Sequence, residues 1–298
     1  MRPLVNWLLA RPWNTVLGLS LSLMLPFAQI LSGAVMVAIV LALGLQQAVL
    51  KGGAAIALLA VLFLAVGNSV PHLVANALVA WLPVMMLAVF MRRTRSMTLT
   101  LQMSVIIAVL VTLGFYAVLG DPAEFWGVQL QQLSVLFAEM GLANQAVLLN
   151  EQSAVLAPQM TMLFVLVTWS MFALVLALGY ALYQCLPDNK ARFGRFCDLN
   201  LGRVLALMMA VTSLLALVTG ADWLQDTAFV MFAVFWVQGL AMLHWLQTDG
   251  PLPALALVAI YALLPILNAL LLTALAVLGY TDAWFNYRAR AIAKKGSE

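Results

Sequence analysis

The feature that most constrains this chain is the length of its uncharged runs. No Asp, Glu, Lys or Arg lies between Arg11 and Lys51, between Lys51 and Arg92, or between Arg95 and Asp121. The same holds between Glu151 and Asp188, Arg203 and Asp222, Asp226 and Asp249, and Asp249 and Asp282. A helix needs about 20 predominantly apolar residues to cross the hydrocarbon core of a bilayer. Each interval holds one such stretch or nearly one, and the first two hold two. Only 8% of the 298 residues are charged and 65% are hydrophobic, whereas a soluble domain carries about 25% charged residues. No soluble fold of this length could bury that excess. A membrane barrel would alternate polar and apolar residues over strands of about 10 residues, and these runs are continuously apolar.

Nine apolar segments are expected, near 13–31, 33–50, 53–69, 70–91, 98–119, 158–186, 204–220, 227–246 and 252–279. Ser32-Gly33, Lys51-Gly52-Gly53 and Asn68-Ser69 supply turns between the first four. The fold expected is all-α, a polytopic transmembrane helical bundle that forms one domain over 1–298. The N-terminal run is too long for a signal-peptide h-region and leads straight into further spans.

Lys and Arg mark the cytoplasmic side. With Arg2 and Arg11 inside, successive spans place Lys51 inside, then Arg92, Arg93 and Arg95, then the loop holding Lys190, Arg192, Arg195 and Arg203. Arg92, Arg93 and Arg95 are expected to be topology anchors, snorkelling to the headgroups. The loop 120–158 falls outside, with Asp121, Glu124, Glu139 and Glu151 and no Lys or Arg. Its interleaved apolar and polar residues predict an amphipathic helix on the outer membrane surface.

Nine full spans would put the basic tail 282–298 outside, against the rule. Pro265 sits at the centre of the last segment, and proline in a helix interior removes a hydrogen bond. Eight spans plus a broken or re-entrant ninth apolar segment return the tail to the inside; a single long kinked span with an external tail is the alternative.

No charged residue is expected inside an apolar segment, which argues against a proton-coupled pump, since intramembrane ionisable groups mark ion pathways. His72 and His244 lie far apart, and Cys185 and Cys197 form no ligand set, so no metal and no cofactor is expected. No nucleophile, paired-carboxylate or nucleotide motif occurs, so no catalytic residue and no enzyme activity are expected. The net charge of +3 sits at segment ends; it suits membrane lipids and not nucleic acid. Polar groups in the spans are neutral amides and hydroxyls such as Gln29, Gln102, Ser104, Asn76, Gln238 and Asn268. Such groups mostly bond between helices, yet Asn76, Gln238 and Asn268 are the candidates for a neutral ligand pocket. At the C-terminus Thr281 or Asp282 is expected to cap a short helix begun after Gly279, with Trp284 stacking on Arg288. A sharper expectation pairs Asp282 with Arg192 or Arg195.

Several stretches together carry a resemblance. They are Trp81-Leu82-Pro83 with Arg92-Arg93-Thr94-Arg95-Ser96; Arg192-Phe193 with Arg195-Phe196 and Leu199-Asn200-Leu201; Gln238-Gly239-Leu240-Ala241 with His244; and Gly279-Tyr280-Thr281-Asp282-Ala283-Trp284-Phe285-Asn286-Tyr287-Arg288. In this order they resemble the proteobacterial branch of the YybS-like membrane proteins, a family of unknown function. The resemblance implies a bacterial inner-membrane location. It also implies distant similarity to the S-components of energy-coupling-factor transporters, which bind small solutes, and to the cell-shape scaffold MreD. Two functions follow as expectations: a small-molecule binding and transport component, or a structural assembly factor that binds other membrane proteins.

Overall fold

A computed structural model describes residues 2–25, 27–67, 69–186 and 192–295. Among the described residues every regular element is helical. In chain order they are α1 (Arg2–Ala10), α2 (Pro12–Met24), α3 (Ala28–Leu43), α4 (Leu45–Ala65) and α5 (Val70–Thr94). Next come α6 (Met97–Leu119), α7 (Pro122–Glu139), α8 (Ala143–Leu156), α9 (Met160–Gln184) and α10 (Gly202–Thr219). The chain closes with α11 (Asp222–Ala233), α12 (Phe235–Thr248), α13 (Ala254–Leu263), α14 (Asn268–Phe285) and α15 (Tyr287–Lys295).

Among the described residues, seven helical stretches are long and apolar enough to cross a membrane. They are Leu45–Ala65, Val70–Thr94, Met97–Leu119, the continuous run Ala143–Gln184, Gly202–Thr219, Asp222–Thr248 and Asn268–Phe285. Gln29–Leu43 and Ala254–Leu263 are apolar but shorter.

The early helix boundaries differ from those expected. Ser32 and Gly33 lie buried inside α3, and Gly52 and Gly53 lie inside α4. Gly33 and Gly52 serve close approach: Gly33 faces Val175 and the Ala80 carbonyl, and Gly52 faces Met36 and Trp81. The true corner is Gly44, with φ +94, where its N–H bonds the Val40 carbonyl at 2.9 Å. α2 stops at Leu25, which is extended (φ −79, ψ 153), as suits a residue preceding proline. Lys51 consequently lies within α4, Asp226 within α11 and Asp282 within α14. The apolar segments themselves hold no charge; the helices run past them and take in these three residues, as well as Arg92, Arg93, Glu151, Arg203 and Asp222.

At the other end, the helix is interrupted between Leu263 and Asn268, around Pro265. α14 does not stop at Gly279. It continues to Phe285 and ends at Asn286, whose left-handed backbone (φ 48) lets its N–H bond the Asp282 carbonyl at 2.8 Å.

The chain divides into two compact units, Met1–Leu101 with Ser170–Phe196, and Gln102–Trp169 with Cys197–Glu298. In the first, α3 packs on α5, with α2 and α4 alongside. The buried Trp81 indole donates to Ser32 at 2.8 Å, an interhelical bond of the kind that contributes about 0.6–2 kcal/mol in a bilayer. Gly179 of α9 lies so close to Val37 and the Ala34 carbonyl that a Cβ would collide with them. The Tyr180 hydroxyl clasps the loop before the second unit: it donates to the Gly194 carbonyl at 2.8 Å and accepts from the Phe193 N–H at 3.0 Å.

In the second unit α12 packs on α14, α10 on α11 and α7 on α8. The stretch expected as one amphipathic helix is two. Asp121 caps α7 by accepting the Ala123 N–H at 2.9 Å, and Gly141 (φ +79) turns the chain into α8. Trp126 donates its indole N–H to Thr161 at 2.9 Å. The buried Trp169 does the same to Ser104 at 2.9 Å.

Candidate functional site

Two polar constellations stand out, one in each unit. In the second unit, α12 and α14 come into backbone contact because both carry glycine at the crossing. A Cβ on Gly239 would collide with Leu275, and one on Gly279 with the Phe235 carbonyl. This approach is the small-residue packing of membrane helices. It sets Gln238 beside Asp282, and both are fully buried. The Gln238 amide donates to Asp282 Oδ2 at 2.8 Å, and its oxygen accepts the Leu201 N–H at 2.7 Å.

Arg288 completes the arrangement. The left-handed turn at Asn286 brings its side chain back across six residues onto Asp282, with Nη2 to Oδ2 at 2.6 Å. The same guanidinium donates to the Cys197 carbonyl at 2.6 Å and the Leu199 carbonyl at 2.7 Å. Asp282 Oδ1 accepts the Tyr287 N–H at 3.2 Å. Gln102 of α6 adds a bond to the Leu201 carbonyl at 3.0 Å. The carboxylate, the guanidinium and the amide thus all have partners in an apolar surround. An isolated buried charge is strongly unfavourable, and here the bonding is closed on itself. The chemistry available is structural: the cluster fastens α15 and the loop before α10 to α12 and α14.

The second constellation is open. In the first unit, Gln29 at the start of α3 and His72 and Asn76 on α5 line a cleft of about 460 Å³. Leu23, Leu25, Phe63 and Met171 supply apolar wall. His72 and Asn76 are four residues apart, hence on one helix face, and all three polar side chains are exposed. Among the described residues none of the three forms a side-chain hydrogen bond. A cleft of this size falls within the range of about 300–1,000 Å³ typical of ligand pockets.

The residues singled out from sequence are distributed as follows. Gln238, Asp282 and Arg288 converge, while Asn76 lies in the open cleft. Asn268 opens α14 on the exposed surface. Asp282 pairs with Arg288, and not with Arg192 or Arg195 as expected, because the turn at Asn286 presents an arginine from the same segment. Trp284 packs edge-on against Tyr280 at 6.2 Å and not on Arg288; the cation–π contact present is Arg290 over Phe285 at 5.7 Å. Arg92 donates to the Val40 carbonyl at 2.9 Å, and Arg95 ends α5 with φ 53. His244 meets the Tyr261 hydroxyl at 2.8 Å. Sequence reasoning gave no special weight to Gln29 and His72; the spacing of His72 and Asn76 was the available signal. The backbone acceptors at Cys197 and Leu199 had no signal, since a carbonyl is the same at every position. Among the described residues no group of three or more His, Cys, Asp or Glu could hold a metal ion.

No protein-family model, curated protein or solved structure matches the chain. The fold itself defines the class: a multi-pass α-helical membrane protein, built from helices long and apolar enough to cross a bilayer.

Proposed function

We propose that this chain is a non-catalytic membrane protein that binds a small neutral solute, similar in role to the S-components of energy-coupling-factor transporters. The ligand sits in the cleft of Gln29, His72 and Asn76. The observation that carries this reading is the set of three hydrogen-bonding side chains on an apolar wall, without partners among the described residues. An unpaired amide facing lipid is unfavourable, and a ligand with matching donors and acceptors removes that penalty.

The proposed location is a bacterial inner membrane, with eight spans and a broken ninth segment; α2 and α3 are short spans. Lys and Arg then place the α3–α4 corner, the end of α5 and the loop before α10 inside. The Arg288 bonds to the Cys197 and Leu199 carbonyls support a tail on the same side as that loop. The cleft opens at the outer end of α5. The α7–α8 pair lies outside, and Gln131→Cys should react with an impermeant thiol reagent in intact spheroplasts once Cys185 and Cys197 are replaced. Labelling only after lysis would reverse the orientation.

Binding is tested by thermal-shift titration of the purified protein in nanodiscs against a panel of uncharged polar solutes. A stabilising solute whose effect disappears in Asn76→Ala and His72→Ala supports the proposal. Stabilisation that survives both substitutions overturns it, as does a full panel without effect. The exposed position of His72 and Asn76 also suits the assembly-factor reading, in which a partner helix covers them. A membrane protein that copurifies with the wild type and is lost from Asn76→Leu would favour that reading.

A further inference from the structure

A second cleft of the first unit lies between α4 and α5 and is separate from the solute cleft. It holds about 450 Å³ and is lined by Met36, Gly52, Gly53, Trp81, Met85 and Met86, among other apolar residues. Its wall along α4 runs from Leu45 to Ile56, roughly 16 Å at helical rise. That matches one leaflet of a hydrocarbon core about 30 Å thick. Trp81 forms its floor with the indole N–H already engaged by Ser32, so the cleft offers apolar contact.

The cleft stops at a cationic end. One turn beyond its last lining residue on α5, Val89, come the exposed Arg92 and Arg93. Arg92 is held in place: its Nη1 donates to the Val40 carbonyl at 2.9 Å, beside Gly44. A guanidinium has five N–H donors, so donors remain for a ligand. The first stretch of the unit, residues 1–101, carries charge of one sign. From residue 1 to 101 the sequence contains Arg2, Arg11, Lys51, Arg92, Arg93 and Arg95 and no Asp or Glu.

We propose that this cleft binds one anionic phospholipid, with an acyl chain along α4 and α5 and the phosphate on Arg92 and Arg93. The occupant is a lipid and not a partner helix, because a one-leaflet apolar trough ending in paired arginines matches a chain with an anionic head. The arginines expected as general headgroup anchors thereby become half of a specific site.

The test is native mass spectrometry of the full chain, titrated with phosphatidylglycerol or phosphatidylcholine in mild detergent. The wild type should retain phosphatidylglycerol preferentially. Arg92→Gln and Arg93→Gln should each weaken that binding about fivefold, in line with one near-surface cationic interaction, and leave phosphatidylcholine unchanged. Gly53 faces open space, with no atom within 4 Å of an added Cβ. Gly53→Phe should therefore fill the trough and displace the lipid while the protein stays monodisperse. Equal retention of the two lipids by the wild type overturns the proposal, as does unaltered phosphatidylglycerol binding in Gly53→Phe. Arg93, which makes no hydrogen bond or ion pair among the described residues, keeps the charge arm readable if Arg92→Gln fails to insert.

Discussion

The two polar constellations differ in a way that composition alone would hide. Each is built from a few hydrogen-bonding side chains on apolar helices. In the second unit Gln238, Asp282 and Arg288 are buried, and every group meets a partner within the chain. In the first, Gln29, His72 and Asn76 line a cleft, exposed and without such partners. The cost of a buried polar group lies in leaving it unpaired. A closed network therefore holds structure together, and an open one keeps hydrogen-bonding capacity for something else.

The largest expected effect is at the ion pair. Arg288→Met leaves the Asp282 carboxylate buried without its counter-charge, which should destabilise the second unit by about 3–5 kcal/mol. Thermal unfolding in detergent measures it. The double variant Asp282→Leu with Arg288→Met should be less destabilised than the sum of the single variants. Strict additivity would show that the two side chains do not act together.

A smaller loss is expected where α12 and α14 touch. Gly279→Ala places a methyl group against the Phe235 carbonyl, an overpacking that typically costs about 1–3 kcal/mol. The same substitution at Gly53, which faces open space, should stay within about 0.5 kcal/mol of the wild type. Equal losses at the two glycines, read by the same melts, would mean that the helix crossing is not close-packed.

These pairs also show what the sequence made legible. Uncharged runs gave the all-helical membrane class, because the bilayer length requirement acts on composition directly. Pro265 signalled the interruption before Asn268, since a missing N–H is a local property. Ser32-Gly33 and Gly52-Gly53 misled, because glycine in an apolar run permits either a turn or a close approach. Only the neighbours Val175, Ala80 and Trp81 decide which, and they are distant in sequence. Gln238, Asp282 and Arg288 were each noticed, but as a ligand candidate and a tail motif. Their meeting depends on the Gly239–Gly279 crossing and on the left-handed turn at Asn286, neither of which periodicity reveals. Asn76 was singled out beside a helix start; that Gln29 shares its cleft required the packing of α3 on α5.

The central distinction is tested most directly by one paired measurement, the melting temperatures of Gln238→Leu and Asn76→Leu in the same nanodiscs without added ligand. Gln238→Leu removes a donor from Asp282 and an acceptor from the Leu201 N–H, and should lower stability by about 1–3 kcal/mol. Asn76→Leu removes a side chain with no internal partner and should melt at or above the wild-type temperature. A loss at Asn76 equal to that at Gln238 would contradict the account, because it would show that Asn76 is already committed to holding the fold.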